Sequence, residues 1–153
     1  MKRSVTLALA IGAASMVCAQ AQQLKPEDQL KLRKSAYSLM NYSLQNLGAM
    51  TEGKRPYSKE EAVRYSDLLA QLSTVPKGFF GEGSDKAGET RAKPEVWTNR
   101  ADFDSRMDKM VNEVAKLSQT ARNGDAAALK KAVHDVDAAC TACHDDYRVK
   151  RKG

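Results

Sequence analysis

Near its C-terminus the chain carries Cys140-Thr141-Ala142-Cys143-His144, a C-x-x-C-H segment in register with an apolar helical seam. Leu129, Val133, Val136, Cys140, Cys143 and Tyr147 alternate at three- and four-residue steps, so both cysteines fall on the face that an amphipathic helix turns inward. C-x-x-C-H reads as a site of covalent haem attachment. Each thiol can form a thioether to one vinyl group of the same porphyrin, and the adjacent imidazole can take the iron. On an inward seam, the flat apolar body of the porphyrin takes the place of core side chains.

Competing uses of the motif fit less well. A structural zinc site wants four ligands, generally from two separated pairs. The chain has only one other histidine, His134, and its third cysteine is Cys18. A thioredoxin-like C-x-x-C follows a strand, and no strand pattern precedes this one. A plain disulfide leaves His144 without a role.

Cys18 lies in a segment that reads as a secretory leader. Met1-Lys2-Arg3 is positively charged, Val5 to Val17 is mostly apolar, and Ala19-Gln20-Ala21 fits a small-residue cleavage site. Residues 1–21 are therefore expected to be removed, with export to the periplasm, and residues 22–153 to form one domain. The apolar run is too short to span a bilayer. Val17 stands where lipidation of Cys18 would want a small residue, which argues against a lipid anchor. The leader carries Lys2 and Arg3 and no acid, so the formal charge falls from +6 to +4 on its removal. That mild basicity, with no basic stripe interleaved with aromatics, does not point to nucleic acid. The cluster Arg148, Lys150, Arg151 and Lys152 reads first as a solvated helix end favoured by the helix dipole, and secondarily as a docking surface for an acidic redox partner.

Four amphipathic segments account for the rest. The first runs from about Pro26 to Met50, opened by proline and two acids, with Leu30, Tyr37 and Leu44 on one seam and Arg33, Met40 and Leu47 on a second. The second runs from Ser58, an N-cap with Glu61 three residues on, to about Thr74, with Tyr65, Leu68, Leu72 and Val75 expected inward. The third covers about Asn99 to Arg122, with Phe103, Met107, Met110, Val114, Leu117 and Ala121 in an unbroken seam. The fourth follows Asn123-Gly124 and opens at Asp125. Four such segments predict an all-α, antiparallel four-helix bundle with covalently bound haem c. The one long connection, about 75–98, is expected to cover an edge of the haem.

Around the iron, His144 is the expected axial ligand. His134 is ten residues earlier on the same helix, about 15 Å along its axis, and cannot reach the opposite face; it is expected on the surface. A sixth ligand would come from Met40, Met50, Met107 or Met110, which are otherwise core filling. Arg33 occupies a seam position that asks for an apolar residue. Either a haem propionate pairs with its guanidinium or the side chain snorkels outward. Tyr37, one turn on, either covers the open iron face or is an ordinary core tyrosine.

These features together resemble cytochrome c′, the class II c-type cytochromes, over almost the whole of residues 22–153. The resemblance is carried by Lys25-Pro26-Glu27-Asp28 through Leu32 to Met40, by Phe80-Gly81 and Pro94-Glu95-Val96-Trp97, by Lys116-Leu117-Ser118, and by Cys140 to Arg148. It implies a homodimer through the first two helices and five-coordinate, high-spin iron with His144 as sole protein ligand. Tyr37 aligns with the residue covering the vacant face, Arg33 and Lys34 with residues beside the propionates, Arg148 with a basic residue near the proximal histidine, and Glu89 and Thr90 with the loop segment at the haem edge. The implied function is binding of NO and CO with a capacity for electron transfer through an unidentified redox partner. An enzyme such as a peroxidase would want a distal acid/base histidine, and no free histidine is placed for it, so no enzymatic turnover is expected. A bulky lid lacking a good hydrogen-bond donor disfavours dioxygen relative to NO and CO. The alternative within the same fold is a six-coordinate His/Met electron carrier of the cytochrome c-556 type, with Met40 as the sulfur ligand.

Overall fold

The computed structural model describes residues 24–150; the expected leader lies outside them. Within them the chain forms α1 (Pro26–Thr51), α2 (Lys59–Ser73), a 3₁₀ turn (Pro76–Phe79), a short α3 (Glu95–Thr98), α4 (Arg100–Asn123) and α5 (Ala126–Tyr147). The four long helices make the expected antiparallel bundle, and no strand occurs among the described residues. None of these helices is long and apolar enough to cross a membrane.

Local chemistry sets the ends. The Ser58 side chain accepts from the Glu61 N–H at 3.3 Å, and Asp125 Oδ1 accepts from the N–H groups of Ala127 and Ala128 at 2.9 and 3.0 Å, satisfying donors that the first turn leaves free. Gly124 closes α4 in the left-handed conformation at φ 79°, which glycine adopts without steric cost. Every expected inward residue of α4 is buried. On α5 the upper seam, Leu129, Val133 and Val136, and the closing Tyr147 are buried as well.

The inward face of α2 differs from expectation. Ala62, Tyr65, Ser66, Leu69 and Ser73 are buried, Leu68 and Leu72 are half-buried, and Val75 is 39% exposed. Small residues let the α2 backbone approach its neighbours closely. The serine hydroxyls lose nothing by burial, because Ser66 Oγ donates to Val63 O at 2.9 Å and Ser73 Oγ to Ala70 O at 2.8 Å.

The long connection is a packed structure. Its Phe80 ring meets Trp97 and Phe103 edge-on, with centroids 5.9 and 4.8 Å away, and Phe103 meets Tyr147 at 5.4 Å. Gly81 donates its N–H to Gln29 Oε1 at 2.8 Å; a Cβ there would stand 2.7 Å from that oxygen, so a larger residue would displace the Gln29 side chain from this contact. The tail of the loop pairs with the end of α5: Lys93 N donates to Tyr147 O at 3.0 Å and Val149 N to Arg91 O at 2.8 Å, around an antiparallel bridge between Ala92 and Arg148.

Candidate functional site

Of the four neighbouring pairs of long helices, α1 and α5 approach each other least closely. The same seam departs from the closed core elsewhere. Tyr37 and Leu44 on α1 and Cys140 and Cys143 on α5 are only partly buried while packing against the core, and His144 beside them is half-buried. This open stretch is where the sequence places the porphyrin.

The donor chemistry fits haem c. Cys140 and Cys143 are free thiols, one turn apart on one face. Burial pushes the Cys140 thiol up to about 11 and raises that of Cys143, so both stay protonated at neutral pH. His144 is pushed down to about 4, first by burial and then by the nearby Arg148 and Arg91 cations. Its imidazole is therefore neutral near pH 7, the form that ligates a metal.

Tyr37 reaches across from α1. Burial is the main cause that raises its phenol, and the Cys143 and Cys140 thiols add to it; like them, Tyr37 is partly buried and packs against the core. Its hydroxyl donates to Met107 Sδ at 3.6 Å.

Arg33 does not snorkel. It is 3% exposed and donates four hydrogen bonds into the loop: Nη1 to Phe79 O and Ser84 Oγ, both at 3.1 Å, and Nη2 to Ser84 O at 3.0 Å and Thr90 Oγ1 at 3.1 Å. Its guanidinium carbon also lies 4.6 Å from the Phe80 ring centroid and 5.6 Å from that of Trp97, favourable for a desolvated cation. Lys34, exposed, donates to Glu89 O at 3.4 Å. The structure thus brings Arg33 to Thr90 and Lys34 to Glu89. Arg148 is half-buried after α5, and its backbone N–H donates to His144 O at 3.0 Å. His134 is exposed, and Met40, Met50, Met107 and Met110 are all core residues.

Two residues that the sequence did not single out, Asp102 and Arg106, brace this end of α5. Tyr147 donates its hydroxyl to Asp102 Oδ2 at 2.6 Å. Arg106 donates to Asp102 Oδ2, to Ala142 O inside the haem motif at 2.9 Å, and pairs with Asp146 at 2.8 Å. Asp102 and Arg106 show the four-residue spacing of a helical ion pair, but nothing local announces their contact with α5. Ser84, buried and without any sequence signal, takes two of Arg33's bonds.

A family profile described as Cytochrome C' matches residues 28–148. The chain belongs to the cytochrome c′ family. It is 37% identical over 126 residues to the cytochrome c′ of Rubrivivax gelatinosus, covering 82% of this chain and 98% of that one. The crystal structure of the Rubrivivax protein superposes with a TM-score of 0.80, covering 84% of this chain and all of its own. A nitric oxide complex of a mutant cytochrome c prime from Alcaligenes xylosoxidans superposes with a TM-score of 0.77 at 35% identity, covering 83% and 98%. The cofactor of this cytochrome c′ is accordingly haem c, one per chain and covalently attached.

Proposed function

We propose that this cytochrome c′ is a periplasmic gas-binding haem protein, capable of electron transfer, whose iron is five-coordinate and high-spin. Cys140 and Cys143 hold the haem by thioethers and His144 is its sole axial ligand. When bound, the haem would supply an iron, held by His144, that can take a diatomic such as NO or CO. The single observation that carries this reading is the partly open seam between α1 and α5, with the two thiols and a neutral imidazole on one side and the Tyr37 ring on the other. The nitric oxide complex of the Alcaligenes relative supports the choice of ligand.

In this reading each residue has a defined task. His144 presents its lone pair without having to lose a proton. Tyr37 covers the vacant face as a bulky lid. Arg33 and Lys34 tie the 79–90 loop to α1 beside the propionates, with Glu89 and Thr90 at the haem edge and Arg148 on the proximal side. Among the described residues no second histidine stands near the site to serve as a distal acid–base group: His134 is exposed and ten residues before His144 on α5, which favours ligand binding over peroxidase-type turnover. The leader pattern of residues 1–21 supports export. A homodimer through α1 and α2 is supported by Leu32, Leu39 and Tyr42, which lie 41%, 48% and 53% exposed along one side of α1, with Tyr42 edge-on to Tyr65 of α2 at 5.8 Å.

Replacing Tyr37 by alanine tests the lid. Removing a ring that crowds the vacant face by on the order of 1–2 kcal/mol speeds CO association roughly tenfold, read by flash photolysis. A six-coordinate iron held by Met40 gives no such gain, because departure of the sulfur would then limit the rate.

A further inference from the structure

We propose that Met107 sets the selectivity of the gas-binding face: its thioether holds the Tyr37 hydroxyl, so the lid offers a bound diatomic a ring and no hydrogen-bond donor. The proposal rests on the reading that a diatomic binds beneath Tyr37.

The contact has one possible polarity. A thioether sulfur accepts and never donates, so at 3.6 Å from Met107 Sδ the Tyr37 hydroxyl is the donor, and its single proton is spent there. The sulfur is a fixed point. Met107 is 4% exposed on the unbroken α4 seam and belongs to the buried core that also holds Phe103 and Met110. Tyr37 belongs to α1, so the contact crosses the bundle and ties the lid's polar end to a residue that cannot move away. Packing alone does not call for sulfur at this position. Leucine has nearly the same volume, and Leu–Met exchanges in cores are tolerated; what leucine lacks is the acceptor.

The consequence is chemical. A donor over a haem ligand stabilises dioxygen, which gathers charge on its outer atom, more than it stabilises CO or NO. A tyrosine lid carries such a donor at its tip. With the hydroxyl committed to Met107, the tyrosine acts toward the ligand as a phenylalanine would. Discrimination against dioxygen is then built into a side chain on a different helix from both the lid and the axial histidine.

The experiment uses the full haem-loaded protein and CO as the probe, with the C–O stretch read by infrared spectroscopy. Met107→Leu frees the hydroxyl to turn to the ligand. The expected result is a shift of the stretch to lower frequency, as hydrogen bonding to the ligand oxygen draws electron density into it. CO dissociation also slows by about two- to tenfold, the worth of one ordinary hydrogen bond. The double variant Tyr37→Phe/Met107→Leu returns to the native frequency, a rescue that a packing role for Met107 does not produce. Tyr37→Phe alone keeps the native frequency, which tests the proposal even where Met107→Leu fails to load haem; a shift in that variant means the hydroxyl already reaches the ligand and overturns it. A Met107→Leu adduct with the native frequency and dissociation rate overturns the proposal and leaves the gas-binding reading intact. A native protein that takes up no CO overturns both.

Discussion

Replacing Arg33 by methionine is expected to cost the haem-loaded protein about 3–5 kcal/mol of stability, measured as the shift in its urea unfolding curve. The guanidinium is nearly sealed from water and supplies hydrogen bonds to two loop carbonyls and two hydroxyls. Methionine restores much of the volume but none of the donors. Phe79 O, Ser84 O and Thr90 Oγ1 then lose a partner in a largely desolvated site, at roughly 1–3 kcal/mol for each group left unsatisfied. The cation also leaves the faces of Phe80 and Trp97. Because these contacts join α1 to residues 79–90, the loop should become the first site of proteolysis in the variant. A loss below about 1 kcal/mol would show that Arg33 is held by something other than the loop.

The second large effect concerns the cofactor. With Cys140 and Cys143 both replaced by serine, no haem should remain on the polypeptide after denaturing electrophoresis, against one per chain in the native protein. Each single replacement should leave one thioether and a haem absorption shifted toward that of a vinyl-bearing porphyrin. Serine hydroxyls do not add to vinyl groups under conditions where thiols do. Covalent haem in the double variant would mean attachment at some other side chain, and the placement of the porphyrin between α1 and α5 would fall with it.

The haem motif was legible in the sequence because it is local. Three roles stand within five residues, and their register with Val133 and Val136 was enough to place them on an inward face. The α1, α4 and α5 helices were legible for a related reason: apolar periodicity, acids or proline at the starts, and Gly124 as a stop are all short-range signals. The α2 face was misread because its packing uses Ala62, Ser66 and Ser73, small residues that bury well once their hydroxyls turn back on the helix, and that an apolar pattern overlooks. Arg33 stood out as a charge on a seam, but its partners could not be read. They come from a loop without periodicity, more than forty residues away, where Ser84 carries no mark of its burial. The braces of Tyr147 on Asp102 and Arg106 on Ala142 are likewise contacts between helices, invisible to any single-segment pattern.

The central claim is an iron that is open on the Tyr37 side, and the absorption spectrum of the purified protein, oxidised and reduced, with and without NO, tests it most directly. A broad high-spin Soret band that changes on addition of NO is the predicted result. A sharp low-spin spectrum with a methionine-to-iron charge-transfer band, indifferent to NO, would contradict it and assign the sixth position to Met40.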